Sequence, residues 1–140
     1  MRSGRLIAIV DAGPLYSAAD RKDPDHAACV EAVSRDDLEL VIPAMVVAEV
    51  SYFIQKRLGP RAEARFLEGL ARLDVEGPHP DDWTRIAELA HKYVDLPLGG
   101  TDASVVALAE RLGADTVITL DRRHFGAVRP RHCEALQLLP

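Results

Sequence analysis

Residues 6–10 read LIAIV and residues 11–14 read DAGP. Five consecutive apolar residues without polar alternation predict a strand buried on both faces, as in a parallel sheet. The run stops at Asp11, and Gly13-Pro14 is turn chemistry. Outward from this stretch, similar short strands are predicted at Glu39–Ile42, closed by Pro43, at Asp115–Leu120 and at Ala135–Leu138. Helical patterns lie between them. One runs from an Asp25 cap to about Arg35, and one from Ala44 to Leu58, stopped by Gly59-Pro60. The next starts at Pro60 and carries Ala64, Leu67, Leu70 and Ala71. After the loop Gly77-Pro78-His79-Pro80, a helix from Asp81 or Asp82 places Trp83, Ile86, Leu89, Ala90 and Tyr93 on one stripe at core spacing. Thr101–Leu112 is amphipathic and ends at Gly113. Strands alternating with helices predict a three-layer α/β/α sandwich with a mainly parallel central sheet. Sites in such sheets form beyond the carboxyl ends of the strands.

The length of 140 residues fits a single domain, 1–140, large enough for one unstapled core. With 48% hydrophobic and 28% charged residues, the chain is neither disordered nor membrane-spanning. The basic start MRSGR is followed by an apolar run too short for a signal peptide. Cys29 and Cys133 have no metal-binding spacing and read as reduced thiols of a cytoplasmic protein. Seventeen basic against 22 acidic residues give −5, which argues against a protein that merely coats nucleic acid but does not exclude a nuclease.

Four carboxylates stand out. Asp11 directly follows LIAIV, and Asp121 directly follows VITL. Each alone is readable as a turn or cap residue. Glu49 is the only charge in AMVVAEVSYFI and borders the apolar stripe, so its carboxyl is expected to be partly desolvated. The bland alternative is a buried ion pair with an arginine. Asp102 opens a helix, where the dipole favours an acid, and also heads the stripe Val105, Val106, Ala109, Leu112. The four are separated by 38, 53 and 19 positions, so no local motif joins them. If they converge without a balancing base, the arrangement calls for a cation. All-oxygen ligation suits Mg²⁺ or Mn²⁺, the ions of metal-assisted phosphodiester hydrolysis.

With these residues in place, the sequence resembles a PIN-domain ribonuclease, specifically the VapC-type toxin of a toxin–antitoxin pair. The marks are IVDAGPL, VVAEVSYFI, LPLGGTDASVVALAERLG and VITLDRRHF, over nearly the whole chain. The resemblance implies Mg²⁺ or Mn²⁺ held by Asp11, Glu49 and Asp102, with Asp121 as a less constant fourth acid. It also implies cleavage of RNA, homodimerisation and neutralisation by a VapB-type antitoxin, without a membrane partner. One departure is Ala12-Gly13, where the family often carries Thr or Ser after the first Asp. Thr119 or Thr101 is the candidate substitute for that hydroxyl.

Arg122 and Arg123 read as RNA phosphate contacts or as solvated surface, and so do Arg129, Arg131 and His132. His124 reads as non-catalytic, because a metal site needs no imidazole base. The helices between Ala44 and Ala71 carry more apolar surface than one sheet face needs, which suits ordinary packing or an interaction groove. Competing functions are a catalytically inactive PIN-fold binding module and a receiver-like signalling domain. The receiver would want paired acids at the first strand and a late lysine, and both are missing. A haloacid-dehalogenase-type phosphotransferase would need an acid where Gly13 stands.

Overall fold

The computed structural model describes residues 4–140, so the part of the signal-peptide reading that rests on Arg2 lies outside them. Five strands are described: β1 Leu6–Val10, β2 Leu38–Pro43, β3 Asp74–Glu76, β4 Thr116–Ile118 and β5 Gln137–Leu139. They form one sheet in the order β3-β2-β1-β4-β5, and every neighbouring pair is parallel. Ala8, Ile9 and Val10 are all fully buried, as are Val117 and Ile118. Successive strand residues point to opposite faces, so both faces of the central strands are covered. Seven helices cover them: α1 Ala12–Ala19, α2 His26–Val33, α3 Ala44–Leu58, α4 Pro60–Leu70, α5 Pro80–Lys92, α6 Gly100–Leu112 and α7 Arg122–Ala127. The three-layer α/β/α expectation holds, with the described sheet wholly parallel.

Helix α6 is the central one. Ala103 through Ala109 are all buried, which an amphipathic surface helix would not show. Gly113, at φ 66°, supplies the left-handed residue that ends it. Gly59, at φ 94°, breaks α3 from α4. Three elements were not read from the sequence. Helix α1 starts within DAGP, because Pro14 in a first turn removes an N–H that needs no partner. Strand β3 is a three-residue edge piece, and α7 has only six residues. Trp83, assigned to a core stripe, is 51% exposed, while Ile86 and Leu89 of the same helix are buried. Cys29 and Cys133 are unpaired thiols. Among the described residues no helix is long and apolar enough to cross a membrane.

The sheet places the site. From β1 the order runs to β2 on one side and to β4 on the other. Val10 lies beside Ile118, and the Asp11 amide donates to the Ile118 carbonyl at 2.9 Å. Residues just beyond the carboxyl ends of β1 and β4 are therefore neighbours, at the point where such folds open a crevice.

Candidate active site

Asp11 sits at the mouth of α1 with 6% of its surface exposed. Its Oδ2 accepts a hydrogen bond from the Thr119 hydroxyl at 2.8 Å. Thr119, 1% exposed, accepts in turn from the Asp121 amide at 2.9 Å, so one hydroxyl links the two strand-end acids. Burial raises the Asp11 pKa, the Ala12 amide and Thr119 hydroxyl oppose the rise, and the Asp121 charge adds to it. Thr119, not Thr101, is thus the hydroxyl placed against the first Asp. It contacts the carboxylate directly.

Asp121 caps α7. Its Oδ1 accepts from the His124 amide at 2.9 Å, and its Oδ2 lies 2.6 Å from His124 Nδ1. The cap reading and the cleft reading both hold for this residue. Asp102 projects from the first turn of α6, and its pKa is raised to about 6. Burial is the main cause, followed by the charges of Asp11 and Asp121, with His124 partly offsetting them.

Glu49 is exposed on α3 as a whole residue. Its carboxyl is partly desolvated, as expected: the residue lines the cleft, where loss of water and then the Asp11 charge raise its pKa. No arginine pairs with it among the described residues.

Asp11, Glu49, Asp102 and Asp121 line one open cleft with Ala12, Gly13 and Leu120. A tighter, apolar-walled hollow beside Pro78 and Arg111 contains none of the four. Arg123 lies exposed at the start of α7, two residues after Asp121. Arg122 donates to the Pro140 carbonyl, which holds its guanidinium toward the chain end. The sequence reads His124 only as a rejected general base and not as a neighbour of the acids, yet single ligand atoms of Asp102, Asp121 and His124 lie within 4.8 Å of one another. The available signal was its position three residues after a strand-end Asp, the spacing of a helix-start contact.

The PIN domain family matches residues 8–129, a span that contains all four acids. The chain is 37% identical over 124 residues to Ribonuclease VapC26 of Mycobacterium tuberculosis, covering 87% of this chain and 92% of that protein. Among solved structures, the sarcin–ricin loop cleaving toxin VapC20 of Mycobacterium tuberculosis superposes with a TM-score of 0.79 at 15% identity, covering 96% of this chain and 99% of that one. VapBC2 from Rickettsia felis, solved bound to a promoter DNA fragment, gives 0.68 at 18% identity, covering 95% and 97%. At such identities the solved structures speak to the fold alone. The family match over most of the chain and the identity to VapC26 go further: the chain belongs to the PIN-domain family of VapC-type ribonucleases.

Proposed function

We propose that the chain, 1–140 as one domain, is a metal-dependent endoribonuclease toxin that hydrolyses RNA phosphodiester bonds in the cytoplasm. The observation that carries this is the meeting of four carboxylates in one cleft with no lysine or arginine among its lining residues. A cleft that raises the pKa of Asp11, Glu49 and Asp102 has no lysine or arginine in its lining to balance them. An all-oxygen donor set fits Mg²⁺ or Mn²⁺. Asp11, Glu49 and Asp102 would hold the ion, with Asp121 as the fourth acid. A bound Mg²⁺ or Mn²⁺ supplies an activated water and stabilises charge on the leaving oxygen.

The chain's own residues do the rest. Thr119 fixes the Asp11 carboxylate and anchors the Asp121 backbone, so both strand-end acids stay aimed at the cleft. Leu120, 39% exposed between them, gives the cleft an apolar wall. Arg123, and less so Arg122, would contact RNA phosphates.

A VapB-type antitoxin and a second copy of the chain are the proposed protein partners. Support comes from α4, which buries none of its residues and leaves Leu67 45% exposed. Leu58, at the end of α3, is 38% exposed beside it. An unfilled apolar face of this kind suits a helix-in-groove contact. The decisive experiment is cleavage of RNA by the purified protein with Mg²⁺ or Mn²⁺ and in excess chelator. Activity confined to the metal-containing samples supports the reading, and full activity in chelator overturns it.

A further inference from the structure

We propose that His124 is a positioning residue: it clamps Asp121 and ties it to the segment that launches Asp102. This rests on the carboxylate-site reading above and adds a residue to it. Asp121 caps α7 and Asp102 lies in α6, and nothing in either helix alone fixes their relation. His124 spans the gap. Its amide and ring hold the two oxygens of Asp121, at 2.9 Å and 2.6 Å. Its Nε2 lies 2.9 Å from the Leu96 carbonyl.

Leu96 belongs to the connection between α5 and α6, six residues before Asp102. A carbonyl only accepts, so Nε2 is the donor there, and Nδ1 faces the Asp121 carboxylate. The same connection is pinned a second time, where the Arg129 amide donates to the Tyr93 hydroxyl at 2.9 Å. Leu98, 4% exposed, plugs it into the core. The α5–α6 connection is therefore a fixed bridge from His124 to the start of α6. Both ring nitrogens are engaged, so the ring cannot ligate an ion without giving up one contact. That favours orienting Asp121 over direct ligation, the usual part of a residue one step removed from a metal.

The test uses the full chain, Mn²⁺ alone as the probe, and the variants His124→Ala, His124→Asn and His124→Gln. Asn places an amide N–H near the position of Nδ1, whereas Gln places one near Nε2. Calorimetric titration of the cation-free protein reads Mn²⁺ affinity directly. His124→Ala is expected to bind Mn²⁺ about tenfold more weakly. Its kcat for RNA cleavage falls in parallel, while KM stays within about twofold, because the RNA contacts are untouched. His124→Asn recovers most of the Mn²⁺ affinity, since the clamp on Asp121 is kept, and His124→Gln recovers less.

Unchanged Mn²⁺ affinity in His124→Ala overturns the proposal. If circular dichroism shows that His124→Ala does not fold, the Asn and Gln variants decide, and Gln binding as tightly as Asn overturns it. A wild-type chain that takes up no Mn²⁺ ends the metal reading and this inference together. A wild type that binds Mn²⁺, beside a His124→Ala that binds it equally well, ends this inference alone.

Discussion

Two acidic regions of the molecule are built in opposite ways. Between α5 and α6, carboxylates meet guanidinium groups. Arg85 grips Glu110 with two bonds of 2.8 Å, and Arg111 reaches Asp82 at 2.9 Å and Glu76 at 3.3 Å. Burial pushes the Glu110 pKa up, but Arg85 and the Arg131 amide outweigh it and leave the pKa below the ordinary value. At the carboxyl ends of β1 and β4 the acids meet one another, and Asp102 rises to about 6. Similar groups in similar partial burial thus move in opposite directions. The difference is whether the fold provides the positive charge. Where it does, the acids hold two helices together. Where it does not, the cleft is left to take its charge from outside.

The comparison breaks most visibly at Asp102. Asp102→Asn keeps the shape and removes one of the crowded charges. Turnover should fall to background, while the chelated protein becomes more stable by something on the order of 1 kcal/mol. A cleavage assay paired with a thermal melt in chelator checks both halves. A destabilised but active variant would mean that Asp102 is structural.

Arg85→Ala makes the matching cut in the paired region. It removes the guanidinium from Glu110, whose side chain is only 10% exposed and keeps just the Arg131 amide, and should cost about 3 kcal/mol of stability. Cleavage per folded molecule should stay unchanged. Denaturant titration together with activity measured well below the melting point tests this, and a selective loss of activity would join the two regions functionally.

Thr119→Val removes the hydroxyl that links Asp11 to Asp121 without changing the volume. With Thr119 1% exposed, it should cost about 2 kcal/mol and weaken cation binding. Chemical denaturation and Mn²⁺ titration measure the two effects. An unperturbed variant would show that the strand ends alone aim the two acids.

Acid should separate the regions by sign. The folded-state pKa of Asp102 lies above its ordinary 3.8, so the native state takes up its proton first as pH falls through about 6. The destabilisation from that charge is full above about 6 and relieved toward 3.8. The stability gap between wild type and Asp102→Asn in chelator should therefore be widest near neutral pH and close on acidification. Glu110 is depressed, so its contribution is present above its ordinary 4.5 and lost only as pH falls through its lower folded value. The deficit of Glu110→Gln should accordingly persist down to about 4.5, while the Asp102 gap is already closing from about 6. Parallel melts across this range check it, and gaps that move together would undo the distinction.

The smallest effect concerns the rim. Arg123→Ala should weaken RNA binding modestly and lower its salt dependence by about one unit of slope. Arg122→Ala should do less, because Arg122 already donates to Pro140. Binding titrations over a salt series decide between phosphate contact and bare surface charge.

Much of this was legible in local patterns. LIAIV announced a strand covered on both faces, and its residues Ala8, Ile9 and Val10 are fully buried. The boundaries of α3 follow from Gly59-Pro60 and those of α6 from Gly113. The pieces that escaped carry no sustained periodicity. Strand β3 has three residues, α7 has six, and α1 hides behind a Gly-Pro that serves as its first turn. Trp83 shows the limit of periodicity, since a stripe position is buried only if another element lies over it.

By itself, the sequence determined which segments must be covered, where the helices stop, and that four acids stand beside apolar runs where charge is costly. These follow from nearest neighbours along the chain. Only the tertiary structure decided who faces whom. The parallel register of β1 and β4 sets Thr119 against Asp11 across 108 positions. The packing of α6 beside that edge brings Asp102 under the charges of Asp11 and Asp121. The α5–α6 connection meets His124 through the Leu96 carbonyl. Whether a carboxylate rises or falls in pKa depends on solvent and charges within a few ångströms. Here the cleft's acids are neighbours only because parallel strands carry distant segments to one edge.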